Sequence, residues 1–170
     1  LAPLSEVGDQ HGSRLVDGEV VMPPGWKAAY DAFSAAGWGG LPSPTEHGGQ
    51  GFPQALATAV TEIWNAANLS FGLGPLLTQG AIEAIEPLGT ADIKRTYLAN
   101  MIAGTWTGTM NLTESHAGTD LGALKTKADR AADGSFRIKG TKIFISSGDH
   151  DLTDNIIHLV LARVEGDPAG

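Results

Sequence analysis

Gly104-Thr105-Trp106-Thr107-Gly108-Thr109-Met110-Asn111-Leu112 is where the chain changes its period. Trp106, Gly108, Met110 and Leu112 alternate with threonines or Asn111, which is the two-residue repeat of a strand. Before this stretch the repeat is helical. Pro23-Pro24-Gly25 precedes Trp26 to Ala36, where Trp26, Tyr30 and Phe33 share a helical face and Gly37 supplies a stop. Residues 37–51 are rich in Gly and Pro and read as a loop. Pro53 opens a second helix with an apolar stripe of Leu56, Val60, Ile63, Trp64 and Ala67. Pro75 opens a third running to Glu86, and Thr90 caps a fourth whose buried side is Ile93, Tyr97, Leu98, Met101 and Ile102.

After Leu112 a polar loop runs to Gly122. Two strands then flank an Asp133-Gly134 turn, Leu124 to Asp129 and Phe136 to Lys139, a good hairpin signal. Lys142 to Ser146 reads as a further short strand, and Ile156 to Val164 as a buried one. Helices followed by strands mean two segregated domains of the α+β class. The expectation is an N-terminal helical bundle over 1–104, then the beginning of an antiparallel β-barrel-like domain over 105–170. The start at Leu1 and the stop at Pro168-Ala169-Gly170 after a strand-like run read together as the ends of a fragment of a longer chain.

Composition limits the function classes. Eleven Lys+Arg against 19 Asp+Glu give a formal charge of -8, which works against a nucleic-acid backbone as partner. There is no cysteine, hence no disulfide, no thiolate metal site and no thiol nucleophile, as suits a reducing compartment. No apolar run reaches membrane-span length. The expectation is a cytoplasmic protein with no membrane span.

The Glu46-His47-Gly48-Gly49-Gln50-Gly51 loop has the glycines of a phosphate cradle. It lacks the Walker Lys-Ser/Thr and the strand-before, helix-after context, so a tight interhelical loop is the better reading. Asp149-His150-Asp151 resembles a ligand cluster, but adjacent residues diverge in an extended chain, so no metal is expected. His158, within an apolar strand, reads as a core or second-face histidine. Two other segments could face a ligand: the first also reads as an ordinary β loop, and the second suits either a flat heteroaromatic cofactor or a plain packed strand. The loop Asn111 to Asp120 leaves a strand with small hydroxyl residues beside glycine. The run Gly140-Thr141-Lys142-Ile143-Phe144-Ile145-Ser146 would place an aromatic and a hydroxyl on one strand face.

Thr113-Glu114-Ser115-His116-Ala117-Gly118-Thr119-Asp120, followed after a gap by Gly140 to Ser146, resembles the acyl-CoA dehydrogenases. Their usual pattern is Thr-Glu-Pro-x-Ala-Gly-Ser-Asp and then Gly-x-Lys-x-Trp-Ile-Thr-Asn. Pro23-Pro24-Gly25 and Ser147 to Leu152 are similar to the long subgroup that includes methylmercaptopropionyl-CoA dehydrogenases. The resemblance implies FAD as cofactor. It implies flavin-ring contacts from the backbone of Met110 and Leu112 and from the hydroxyl of Thr113. Thr119 would serve both the FAD pyrophosphate and the CoA thioester. Phe144 replaces the usual tryptophan against the flavin face, and Ser146 the threonine near flavin N5. Thr78 and Gln79 would lie near the acyl chain. Ser115-His116 departs from the proline pattern.

The implied reaction is α,β-dehydrogenation of an acyl-CoA in fatty-acid metabolism, giving a trans-2-enoyl-CoA. Electrons would pass to an electron-transfer flavoprotein, and the full-length protein would be a homo-oligomer. The catalytic base is expected in a C-terminal domain beyond these residues; Glu114 belongs to the motif loop and is not assigned that role. The alternatives are an acyl-CoA oxidase, which differs in the fate of the electrons, and a flavin-binding non-dehydrogenase relative. Net acidity disfavours the DNA-associated version of the latter.

Overall fold

A computed structural model describes residues 1–166; residues 167–170, the end of the expected β domain, lie outside the described residues. Among the described residues five α-helices form: α1 (Ala2–His11), α2 (Trp26–Ala35), α3 (Gln54–Ala67), α4 (Leu69–Leu88) and α5 (Ala91–Ile102). The strands are β1 (Arg14–Val16), β2 (Glu19–Val21), β3 (Thr107–Asn111), β4 (Lys127–Arg130), β5 (Phe136–Lys139), β6 (Ile156–Val160) and β7 (Arg163–Val164). The chain divides into two compact units. One is Leu1–Thr109 with Ser146–Ile157, the other Met110–Ile145 with residues 158–166 among those described.

In the helical unit, α2 buries Trp26 and Tyr30 one turn apart. They form a cluster with Phe71 and Leu152, against which Leu4, Met22 and Phe33 pack. The Tyr30 hydroxyl donates to the Gly104 carbonyl at 3.0 Å. Gly104 itself sits at φ 75° and closes the exit from α5, a conformation glycine tolerates without strain. Thr90 caps α5 as expected, its Oγ1 accepting from Ile93 N at 3.3 Å, and Leu98, Met101 and Ile102 are buried.

Two helical expectations need correction. The α3 stripe goes inward only in part: Val60, Trp64 and Ala67 are half-buried beside the buried Ala57, while Leu56 and Ile63 are exposed. Ala57, Val60 and Trp64 follow the i, i+3, i+7 spacing of one face, and Leu56 and Ile63 fall on its flank. Helix α4 starts at Leu69, six residues before Pro75, because Asn68 caps it with Oδ1 accepting from Phe71 N at 3.0 Å. Pro75 is therefore internal, at a cost of about 3 kcal/mol, offset by burial of Phe71, Thr78, Ala81, Ile82 and Ile85. Helix α1 and the β1–β2 hairpin also form without having been anticipated. The hairpin turns on Asp17-Gly18, with φ 51° and 92°, the left-handed pair of a tight primed turn.

The strand at the period change is β3, paired in a two-stranded sheet with β6. Its burial is continuous at Thr107, Gly108 and Thr109 instead of alternating. A Cβ on Gly108 would stand 2.7 Å from both Ala81 Cβ and Met101 Cε, so the strand runs directly over α4 and α5.

In the other unit the Asp133-Gly134 hairpin is present, with β4 and β5 antiparallel and Ala128 opposite Ile138. On its other edge β4 pairs in parallel with β7, so this small sheet is mixed. The expected run Ile156 to Val164 is split between β6 and β7. His158 within it is exposed. Lys142 to Ser146 is not a strand: Phe144 has φ 57°, and Ser147 beyond it φ 53°. A left-handed residue breaks the two-residue alternation, so the argument that placed Phe144 and Ser146 on one strand face fails.

Candidate functional site

The Thr113 to Asp120 loop is built around one carboxylate. Glu114 and Ala117 exchange backbone hydrogen bonds, both at 3.0 Å, which turns the chain tightly and leaves Ser115 and His116 exposed at the tip. Beneath that turn Glu114 is 4% exposed. Its Oε1 accepts from Thr126 Oγ1 at 2.6 Å, from Thr126 N at 3.0 Å and from Lys142 Nζ at 2.9 Å. Its Oε2 accepts from Lys125 N at 2.7 Å, with His116 Nε2 at 3.4 Å. The Thr126 hydroxyl, then the Lys142 ammonium and the Lys125 amide, hold the carboxyl far below its ordinary range. Such a group is a poor base, because every donor around it favours the ionised form.

Lys142 is the other half of this arrangement. Its side chain is 8% exposed, and the ammonium also donates to the Leu112 carbonyl at 2.9 Å. One residue on, Ile143 N donates to the Thr113 carbonyl at 3.0 Å. The motif loop and the Lys142–Phe144 segment are thereby fastened at three adjacent points. Phe144 follows with its ring 89% exposed on a left-handed backbone, which costs a bulky residue about 1–2 kcal/mol. Such a residue persists where its surroundings over-determine it, and it marks a functional segment more often than a packing one.

Of the expected site residues, Met110, Leu112, Thr113, Thr119 and Phe144 belong to this unit. Met110, Leu112 and Thr113 are half-buried, and Thr119 is exposed on the loop with its carbonyl accepting from Leu121 N at 3.1 Å. Sequence reasoning left Lys142 and Thr126 without a role. The 28-residue separation of Lys142 from Glu114 gives no local spacing signal.

Thr78, Gln79 and Ser146 belong to the helical unit. Thr78 is buried, and its hydroxyl accepts from Gly108 N at 3.1 Å and donates to the Gly74 carbonyl at 3.2 Å. Its polar group is thus committed to joining α4 to β3. Gln79 faces the other way, into a cavity of about 360 Å³ lined also by Trp38, Ala57, Trp64 and Leu76. Ser146 is exposed in an open groove with Ser70, Leu73, Ser147 and Trp26.

Two readings of polar loops are decided by hydrogen bonds. The amides of Gly48, Gly49, Gln50 and Gly51 all donate to backbone carbonyls, at 2.9 to 3.1 Å, so these four are not free for a phosphate. His150 is buried: Nδ1 accepts from Leu152 N at 3.2 Å, and Nε2 lies 3.0 Å from Thr107 Oγ1. That places the imidazole proton on Nε2, donating to Thr107. Burial pushes the His150 pKa down, against the smaller opposing effects of its own backbone, Asp149 and Asp151. His150 is therefore an interior strut.

The chain carries a helical unit and a small β unit with a carboxylate-anchored loop. The family profile described as Acyl-CoA dehydrogenase, N-terminal domain, matches residues 14–105, more than half of the chain. This chain belongs to the acyl-CoA dehydrogenase family. It is 52% identical over 170 residues to the 3-methylmercaptopropionyl-CoA dehydrogenase of Ruegeria pomeroyi, covering 100% of this chain and 29% of that protein. Butyryl-CoA dehydrogenase from Megasphaera elsdenii superimposes with a TM-score of 0.78 at 25% identity, over 99% of this chain and 41% of that one. An acyl-CoA dehydrogenase from Bacillus anthracis, solved in complex with FAD, shares the fold at a TM-score of 0.76 and 23% identity, over 97% of this chain and 26% of that one. The chain thus spans less than a third of the length of its curated relative from Ruegeria pomeroyi. No helix among the described residues is long and apolar enough to cross a membrane.

Proposed function

We propose that the protein containing this chain is an FAD-dependent dehydrogenase that forms a trans-2-enoyl-CoA from an acyl-CoA. The observation that carries the reading is Phe144: an aromatic ring 89% exposed, on a left-handed backbone anchored one and two residues earlier. An open aromatic face, with the Thr113 and Thr119 hydroxyls in the same unit, fits a flavin by the chemistry of its donors. These groups are neutral and suit a ring edge and a pyrophosphate. Met110, Leu112, Thr113, Thr119 and Phe144 would hold it.

FAD held by these residues would supply the hydride-accepting chemistry of the dehydrogenation. The residues of this chain bind and orient. Phe144 offers a face from which water is excluded once covered, and the loop amides and hydroxyls of 113–119 offer neutral donors to polarised oxygens. No residue here is assigned the α-proton. Glu114 is excluded by its donor shell, so the base belongs to the part of the relatives' length that this chain does not span. Gln79 and its cavity are the better acyl-side candidate of the Thr78/Gln79 pair, since the Thr78 hydroxyl is already engaged. An electron-transfer flavoprotein as acceptor, a cytoplasmic setting and homo-oligomerisation complete the proposal, supported by family membership and a cysteine-free composition.

The test uses the full-length protein. Its flavin spectrum is recorded and acyl-CoAs are added without oxygen, from short to long chains and including 3-methylmercaptopropionyl-CoA. Bleaching of the flavin band by one of these is expected. A purified protein without flavin, or a flavin that no thioester bleaches, would overturn the reading. Rapid reoxidation in air would move it to an acyl-CoA oxidase.

A further inference from the structure

We infer that Glu114 and Lys142 are positioning residues: their buried ion pair fixes the Thr113 loop and the segment ahead of Phe144 in one arrangement before any flavin arrives. The inference rests on the flavin reading above. It goes beyond that reading by giving a task to two residues that touch no expected cofactor atom.

The geometry is specific. Lys142 Nζ joins the Glu114 carboxylate at 2.9 Å to the Leu112 carbonyl at 2.9 Å, so one ammonium ties down the residues on either side of Thr113. Ile143 N reaches the Thr113 carbonyl itself at 3.0 Å. On the far side Glu114 is bonded to the Lys125 and Thr126 amides, which lead into β4. The pair therefore connects three stretches of chain, and its freedom is limited by the sheet to which Thr126 leads. Gly140 lets the second stretch approach closely, because a Cβ there would collide with the Thr126 side chain and backbone. Directly after these restraints comes Phe144 at φ 57°, with an exposed ring that has little packing of its own to hold it. A strained residue without side-chain packing needs its backbone fixed by its neighbours, and Lys142 and Ile143 are the neighbours that are fixed. Burying the charges in the low-dielectric interior would be costly if either were alone; paired and hydrogen-bonded to the Leu112 carbonyl, the Thr126 hydroxyl and the Lys125 and Thr126 amides, they define one geometry.

The first measurement needs no variant: amide hydrogen exchange of the full-length protein, with FAD bound and after its removal. Protection of the Lys125, Thr126 and Ile143 amides in both forms is expected. Amides that exchange freely without FAD and become protected only with it would overturn the inference, since the flavin would then be organising the loop. A full-length protein that takes up no FAD would instead overturn the functional reading, and this inference with it.

The second measurement is FAD affinity in Lys142→Met and Lys142→Arg, read by flavin fluorescence. Lys142→Met is expected to weaken FAD binding at least about tenfold and to shift the flavin absorption band. Lys142→Arg keeps the charge and is expected to restore binding to within about threefold of the parent, under half a decade. A folded Lys142→Met protein with parental affinity and spectrum would overturn the proposal. Should Lys142→Met fail to fold, the exchange experiment decides alone.

Discussion

At the scale of single residues, the informative side chains are polar groups whose partners are far away in sequence. His150 is one. Its folded-state pKa lies below the ordinary 6.5 because burial disfavours the imidazolium. As pH falls, the unfolded chain takes up this proton before the folded one does. The contribution of His150 to stability is therefore complete above pH 6.5 and declines as pH drops from there through the lowered folded value. The urea midpoint is expected to fall between pH 7.5 and pH 5, and His150→Gln should flatten that dependence; an equally steep profile in the variant would contradict the assignment. Thr78 gives a second prediction. Its hydroxyl is the recorded acceptor for the buried Gly108 amide, and Thr78→Val keeps the shape while orphaning that amide. A loss of about 1–3 kcal/mol in urea unfolding is expected. An unchanged midpoint would mean that the hydroxyl is available for another role, such as the substrate contact first expected of it.

At the scale of elements, the sequence was informative where one local signal acted alone and misleading where two competed. The Asp133-Gly134 hairpin and the Thr90 cap were legible because turn and cap chemistry involve neighbours only. The start of α4 was not, because Pro75 is a strong punctuator that outweighed the quieter cap at Asn68. Tertiary burial of Phe71 and its neighbours decides that contest, and burial is invisible in a single sequence. The same holds for the motif segment: Thr113 to Asp120 and Gly140 to Ser146 were legible as a pair. The left-handed turn at Phe144 was not, since nothing in Lys-Ile-Phe-Ile-Ser departs from a strand pattern. The hairpin turn at Asp17-Gly18 has the same signal as Asp133-Gly134, but the β1 and β2 strands are only three residues each and show too little alternation to read. The cap and the strand crossing can both be tested. Asn68→Ala should cost about 1 kcal/mol by removing the Phe71 N partner. Gly108→Ala should cost about 1–3 kcal/mol by overpacking, because Ala81 Cβ, on a helix backbone, cannot yield as easily as the Met101 terminus. Thermal melts of both variants measure this, and a neutral Gly108→Ala would show that β3 does not press on the helices.

At the scale of the molecule, two compact units with unequal cores should not unfold together. The helical unit buries Trp26, Tyr30, Phe71, Ile82, Ile85, Leu98, Met101 and Ile102, whereas the fully buried apolar residues of the other unit are Ala117, Leu124 and Ala128 among the described residues. At about 25 cal/mol per Å² of apolar surface, large aromatic and aliphatic side chains contribute far more than two alanines and a leucine. The second unit leans instead on polar connections: the Glu114 cluster, and the Arg163 guanidinium donating to the Leu124 carbonyl at 3.0 Å and to the Gly122 carbonyl. Hydrogen bonds of this kind, to charged groups, define geometry and add about 1.5–3 kcal/mol net each, less in sum than the many large apolar side chains of the helical unit. The β unit should therefore be the first to open in denaturant. The tryptophans make this measurable, since all four, Trp26, Trp38, Trp64 and Trp106, lie in the helical unit and report on it alone. In a urea titration of the 170-residue chain, protection of the Lys125, Thr126 and Ile143 amides should be lost at a lower concentration than the tryptophan emission shift. Coincident transitions would mean that the two units fold as one cooperative body. The polar network would then be carrying more stability than its bonds are usually worth.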